Sequence, residues 1–230
     1  MTIEELKKII SEDENAKVDF KRQWYKDSTK DELKSEFIKD MFALANGDIH
    51  SIDKTAYLII GVTDGTKEIF NFDKSKVPRS LNTLTQQLLQ SLNDYAQPEF
   101  LDLDIKWYDL EENYEVLVLS VKPHGRLISL SKDLTLAPKE KRIEKGDGTI
   151  EIVRKVNTDK KGTVYYRIGE NVRVASADVV KDFEKAFKED TYNSGITINI
   201  EGDVNGIATV TGGTVTQTLN FTKQEKNDER

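Results

Sequence analysis

The chain of 230 residues contains no cysteine. Disulfides, zinc–thiolate centres, iron–sulfur clusters and cysteine nucleophiles are therefore excluded. Histidine is almost as scarce, with only His50 and His124, so a histidine-rich metal site is excluded too. Any bound metal would rest mainly on oxygen ligands, which favours Mg or Mn. No apolar run approaches the ~20 residues that a membrane helix needs. The opening MTIEELKKII mixes acidic and basic residues and has no apolar signal core. The expectation is a soluble, cytoplasmic protein without a membrane partner.

Basic charge is also in deficit. The formal net charge is −7, which argues against a generic nucleic-acid binder. The deficit is uneven, however. Lys132 to Arg173 holds 11 Lys and Arg against 7 Asp and Glu, a local balance of +4, so the rest carries −11. An acidic protein with one basic face fits that distribution.

What is present is a regular alternation of elements. Thr2 and Glu5 form a capping box before a helix over residues 3–10, with Ile3, Leu6, Ile9 and Ile10 on one side. KVDFK (17–21) alternates, with Val18 and Phe20 on one face and Asp19 and Lys21 on the other, as in a strand. A second capping box, Thr29 and Glu32, opens a helix reaching about Asn46. AYLIIGV (56–62) reads as a strand buried on both faces, followed by a turn through Asp64 and Gly65. LNTLTQQLLQSLNDY (81–95) is a helix, and 101–110 with 114–122 make a hairpin. Residues 138–163 are a charged loop or extended hairpin, VYYRIG (164–169) is a strand, and a helix capped by Ser176 runs over 176–190. The predicted fold class is α+β, a mixed β-sheet flanked by helices, over residues 1–192.

The composition then changes. Residues 195–221 are rich in Gly, Thr, Val, Ile and Asn and almost free of charge. Residues 193–230 are therefore read as a β-rich appendage with a charged tail. Nearly uncharged strands with open edges pair with their copies, so residues 195–221 are expected to make a homo-oligomer.

Three stretches in order, ENAKVDFK, FALANGD leading into YLIIGVTDG, and YYRIGENVRVAS, carry a resemblance. Together they resemble the Schlafen/AlbA-type domain, a family labelled DNA-binding or divergent AAA. The resemblance spans roughly Thr2 to Asp190. Some Schlafen proteins are metal-dependent endonucleases of tRNA and other structured RNA. By their motif, the resemblance implies Glu14, Asp19 and Asp64 as the acidic residues, with Asp standing where the family often has Glu at position 19. It further implies Mg or Mn as cofactor and a tRNA-like substrate, in an effector of bacterial antiviral defence. Other family members bind nucleic acid or nucleotide without catalysis. After Asn46 the chain departs from the family's Thr-Gly-Gly turn and reads GDIHSIDKTA, which argues against a glycine-rich phosphate cradle.

The residues supply a physical reason for such a site. Positions 14 and 19 face opposite ways on one continuous strand, so they converge only if Glu14 lies in a turn before it. Asp64 joins them if the two strands are neighbours. Three crowded carboxylates repel, and a divalent cation relieves that repulsion and activates water. Lys21 shares the face of Asp19 and can meet a phosphate. Lys141, Arg142, Lys160, Lys161 and Arg167 supply charge for an RNA backbone, and Tyr165 or Tyr166 can stack on a base. Plain alternatives stand beside these: a solvated turn for Glu14 and Asp64, the wet face of an edge strand for Asp19, and a C-terminal helix cap for Asn46. The function expected is a metal-dependent endoribonuclease, with a non-catalytic nucleic-acid- or nucleotide-binding module as the alternative.

Overall fold

A computed structural model describes residues 1–25, 30–77, 80–100, 102–111, 114–136, 138–144 and 150–193. The expected assembly segment 195–221 and the Thr29 end of the second capping box lie outside them. In chain order the elements are α1 (Ile3–Ser11), β1 (Val18–Lys21), α2 (Lys30–Asn46), β2 (Ala56–Ile60), α3 (Leu81–Asn93), β3 (Ala96–Gln97) and β4 (Leu103–Glu111). They continue with β5 (Tyr114–Val121), β6 (Ser129–Leu130), β7 (Leu134–Thr135), β8 (Lys139–Glu144), β9 (Ile150–Lys155), β10 (Thr158–Asp159), β11 (Tyr165–Ile168), β12 (Asn171–Val174) and α4 (Ala177–Asn193). No helix among the described residues is long and apolar enough to cross a membrane.

The central sheet has the order β1-β2-β5-β4. β1 and β2 are parallel, while β5 runs antiparallel to both β2 and β4. The sheet is therefore mixed, and the fold is α+β as the alternation of elements implies. Period-two alternation assigns the sheet's residues to two cores. Ile59, Val116 and Val118 join Val18 and Phe20 under α1, whose Leu6 and Ile10 are buried there. Leu58, Ile60, Leu117 and Leu119 turn the other way, toward Phe37, Met41 and Leu44 of α2 and Leu84 and Leu92 of α3. The capping box of α1 is present, with Thr2 and Glu5 exchanging hydrogen bonds. α2 is apolar almost all round over Phe37 to Ala45 because it lies between the sheet and the β11–β12 hairpin. The charged stretch 138–163 resolves as the antiparallel hairpin of β8 and β9, the extended form of the two expected.

The end of α2 is a junction. Asn46 does not cap its own helix: Gly47 does, at φ +63°, its N–H bonded to Ala43 O at 2.8 Å. Asn46 instead donates Nδ2 to Ile128 O (2.9 Å) and Tyr165 O (2.7 Å) and accepts from Ile128 N (2.8 Å). Three segments meet on one buried amide, and its loss would strand partners at about 1–3 kcal/mol each. Gly47 is required for space as well as conformation, since a Cβ there would meet Lys17 Cε at 2.4 Å.

Lys17 is buried beneath this junction, 4% exposed, with Nζ donating to Ala45 O at 2.8 Å. Burial lowers its pKa to about 8, against the opposing charges of Asp48 and Asp53. An unfolded lysine titrates near ~10.4, so between the two values the unfolded chain binds more protons and stability rises with pH. Tyr25 and Tyr165 act in the opposite sense, since burial raises both and the folded chain keeps their protons longer. Urea midpoints should therefore climb from pH 8 toward ~10 and then fall. In Lys17→Met the climb should vanish and the fall remain, as measured by circular dichroism at each pH.

Candidate functional site

The turn before β1 bends Glu14 back along the strand. Asn15 and Val18 exchange backbone hydrogen bonds at 3.1 and 3.3 Å. That turn lets the Glu14 carboxylate accept from Phe20 N at 2.5 Å. Asp19, one place before Phe20, points to the opposite face. It is 4% exposed, so it is not on a wet face even though β1 is an edge strand. The parallel pairing of β1 with β2 carries Asp64 to the same neighbourhood, in the turn after β2.

Asp19 and Asp64 both act on Glu14. The Glu14 pKa is raised, first by burial and then by the charges of Asp19 and Asp64. The Phe20 N–H and Arg167 oppose that rise. The conditions set by spacing, a turn at Glu14 and neighbouring strands, are both met.

Protein cations, however, already hold the central carboxylate. Arg167 Nη1 lies 2.9 Å from Asp19 Oδ1, and Lys21 Nζ lies 2.6 Å from Oδ2. The Lys21 contact is an ion pair that raises the lysine's pKa against its burial. Lys21 is shared with Asp40 of α2 at 3.4 Å, and Asp40 in turn accepts from Tyr25 Oη at 3.0 Å. Among the described residues, no three His, Asp or Glu side chains are gathered so that they could hold a metal ion. Glu14 is bonded to backbone, Asp19 is ion-paired, and the Asp64 side chain is 61% exposed with Lys67 at 4.0 Å. As arranged, the acidic residues do not fit a divalent cation.

The basic residues fall into three groups. Arg167, expected to grip RNA, is 1% exposed and faces inward. Its Nη2 and Nε donate to the carbonyls of Glu170 (2.8 Å) and Gly169 (3.4 Å), so every edge of the guanidinium is engaged within the protein. A surface role for it is corrected to an internal one. Lys160 and Lys161 are exposed, Lys160 in an ion pair with Asp133 at 2.9 Å. Lys141 and Arg142 lie on β8, but their side chains fall outside the described residues. Tyr165 is core and donates to Asp159 at 2.5 Å, while Tyr166 packs edge-on against Phe183. His50 is exposed, and His124 packs on Phe100 with centroids 5.1 Å apart.

Asp40 was missed, and a signal for it existed. It stands three residues after Phe37 and four before Leu44, on the apolar stripe of α2. A carboxylate on such a stripe needs a partner, here Lys21 and Tyr25.

Two substitutions should move stability in opposite directions. Asp19→Ala strands the Arg167 charge in the interior and should cost about 3–5 kcal/mol. Glu14→Gln keeps the acceptor for Phe20 N but removes a repelled charge. A raised folded pKa means that the folded chain binds more protons just above the unfolded value, so stability there falls as pH rises. Glu14→Gln should therefore raise the urea midpoint at pH 7 and remove that fall. Equilibrium unfolding of both variants from pH 4 to 7 checks the pair.

The arrangement can now be compared with known proteins. No match was found among curated proteins. A family model described as Schlafen, AlbA_2 matches residues 14–176, more than two thirds of the chain. The span begins at Glu14, runs through Asp19, Asp64 and Arg167, and ends at Ser176, the N-cap of α4. With the acidic turn, the mixed sheet and the Arg167 hairpin all inside the matched span, the chain belongs to the Schlafen, AlbA_2 family.

Proposed function

We propose that the chain is a nucleic-acid-binding module with RNA as its partner, engaged at the ends of β1 and β2. Family membership supports the partner class. The observation that carries the surface is a rim of basic side chains resting on aromatic rings around the acidic cluster. The Arg22 guanidinium lies 4.1 Å from the Phe70 ring centroid, and Lys67 Nζ lies 4.7 Å from that of Phe20. Lys21, 32% exposed, completes the rim. Ring seating fixes where Arg22 and Lys67 present their charge; Lys67 also serves Asp13 at 3.6 Å and Asp64 at 4.0 Å, and a phosphate would compete for it. Lys160 and Lys161, with Lys141 and Arg142 on β8, supply a second basic segment for a longer strand.

The crowding of Glu14, Asp19 and Asp64 favours a second reading, a Mg- or Mn-dependent endoribonuclease of tRNA-like RNA. That reading requires Lys21 to leave Asp19, because the ion pair occupies the oxygen a cation would need. The nearly uncharged run 195–221 supports a further proposal, self-association of the chain through β-pairing.

Filter binding of total tRNA across salt, with EDTA, Mg or Mn, tests both readings. Binding without cleavage, with a log–log salt slope reduced by about 0.7–0.9 in each of Arg22→Ala and Lys67→Ala, is the expected result. Cleavage in Mn that Asp64→Asn abolishes, with affinity kept, would establish the nuclease instead. No retention of tRNA at low salt would overturn both. Light scattering before and after deleting everything beyond Tyr192 tests assembly, which fails if the full chain is a monomer or the shortened one keeps its mass.

A further inference from the structure

Beyond Lys21, a cavity of about 450 Å³ opens between the stretch after β1 and α2. Trp24, Gln23 and Tyr25 line it from one side and Glu36, Lys39 and Asp40 from the other. We infer that this cavity receives a single unstacked guanine base of an RNA strand, an assignment that rests on the nucleic-acid reading above.

Size and wall chemistry agree. The volume lies in the range of small-ligand sites, about 300–1,000 Å³, and holds one base with room for its sugar. The Trp24 indole is half-buried and held in place by neighbours: Tyr25 meets it edge-on at 6.0 Å and Phe37 lies 6.3 Å away. A ring fixed in this way is a stacking surface with little entropy left to lose. Single-stranded RNA is recognised by this combination of aromatic stacking and hydrogen bonding to a splayed-out base.

The polar groups select the base. Glu36, Lys39 and Asp40 share one face of α2, being three and four residues apart. Asp40 is already engaged by Tyr25 and Lys21. Glu36 is exposed, and its carboxylate has two acceptor oxygens. Guanine presents two adjacent donors on its Watson–Crick edge, a ring N–H and an exocyclic amine, and so pairs with a carboxylate bidentately. Adenine sets an amine beside an unprotonated ring nitrogen, which opposes the second oxygen. Uracil offers one N–H between two carbonyls, and cytosine one amine. Lys21 and Lys39 balance Glu36 and Asp40 in formal charge, so the cavity discriminates through the base and not through general attraction for phosphate.

The test uses the full chain in a Trp107→Phe background, which leaves Trp24 as the remaining one of two tryptophans. Uridine pentanucleotides with a central G, A or C, and the all-uridine strand, are titrated at low salt while Trp24 emission is followed. The expected result is quenching by every strand that binds, with the G strand bound roughly tenfold tighter than the A strand, within the discrimination of a bidentate contact. Glu36→Gln lies on the surface and leaves the fold intact. It should erase the G preference while quenching persists. Equal binding of G and A strands without a Trp24 response, or a G preference untouched by Glu36→Gln, overturns the guanine site and leaves the nucleic-acid reading standing. Failure of pentanucleotides and of total tRNA alike overturns both.

Discussion

The Arg167–Asp19 ion pair is the interaction on which the rest of the structure depends. It joins positions far apart in sequence and buries both partners, with side chains 1% and 6% exposed. Burying two charges costs several kcal/mol per ion, so the pair persists only where the remaining donors are satisfied. Here they are, because the same guanidinium bonds the carbonyls of Gly169 and Glu170 in the turn joining β11 to β12. One side chain therefore closes the hairpin and fastens it to the edge of the sheet. The Arg167 N–H bond to Gly47 O (2.9 Å) and the Asn46 bond to Tyr165 O bind the same hairpin to the end of α2. With β1 an edge strand, this hairpin and α2 are what keep water from Asp19.

Charge is not balanced across the cluster, and the imbalance has a location. Asp19 and Asp40 are matched by Arg167 and Lys21. Asp64 is left with the more distant Lys67, which also serves Asp13 at 3.6 Å, and Glu14 has only the partial relief of the Arg167 charge. Burial first, and then the negative charge of Asp19 and Asp64, raises the Glu14 pKa. A bare phosphate is repelled there, so RNA must be held by the surrounding cations. For that reason the placement of Arg22 and Lys67 on aromatic rings matters more to the proposed interface than net charge does.

Local rules made much of this legible. The Thr2–Glu5 box, the alternation in β4 and β5, and the apolar AYLIIGV run each answer to a neighbour-scale constraint, and each became the element expected. The turn at Glu14 and the pairing of β1 with β2 were legible and both are present, yet among the described residues the three carboxylates do not gather as a metal site. An arginine on a short strand beside tyrosines has the local pattern of a surface grip, which points Arg167 outward. Its true partner is Asp19, and no local pattern carries a pairing of that sequence separation. Asn46 ends its helix and so has the pattern of a cap, yet Gly47 fills that role and leaves the amide for Ile128 and Tyr165. Lys17 gave no signal at all, since a lysine beside a strand is ordinarily solvated.

Lys21 is where the cluster and the cavity meet. Arg167 is fixed by two carbonyls and a carboxylate, so it cannot leave Asp19 without opening the hairpin. Among the described residues Lys21 is held by carboxylates, at 2.6 and 3.4 Å, and about a third of its side chain is exposed. Moving it breaks no backbone hydrogen bond. It also lines the cavity beside Trp24. An anion drawn to Lys21 from the cavity side therefore weakens its hold on Asp19, and a cation bound at Asp19 frees Lys21 toward the cavity. Such coupling is reciprocal by necessity. Occupation of the cavity by an RNA strand would then raise the affinity of the acidic cluster for a cation, and a cation would raise the affinity for the strand.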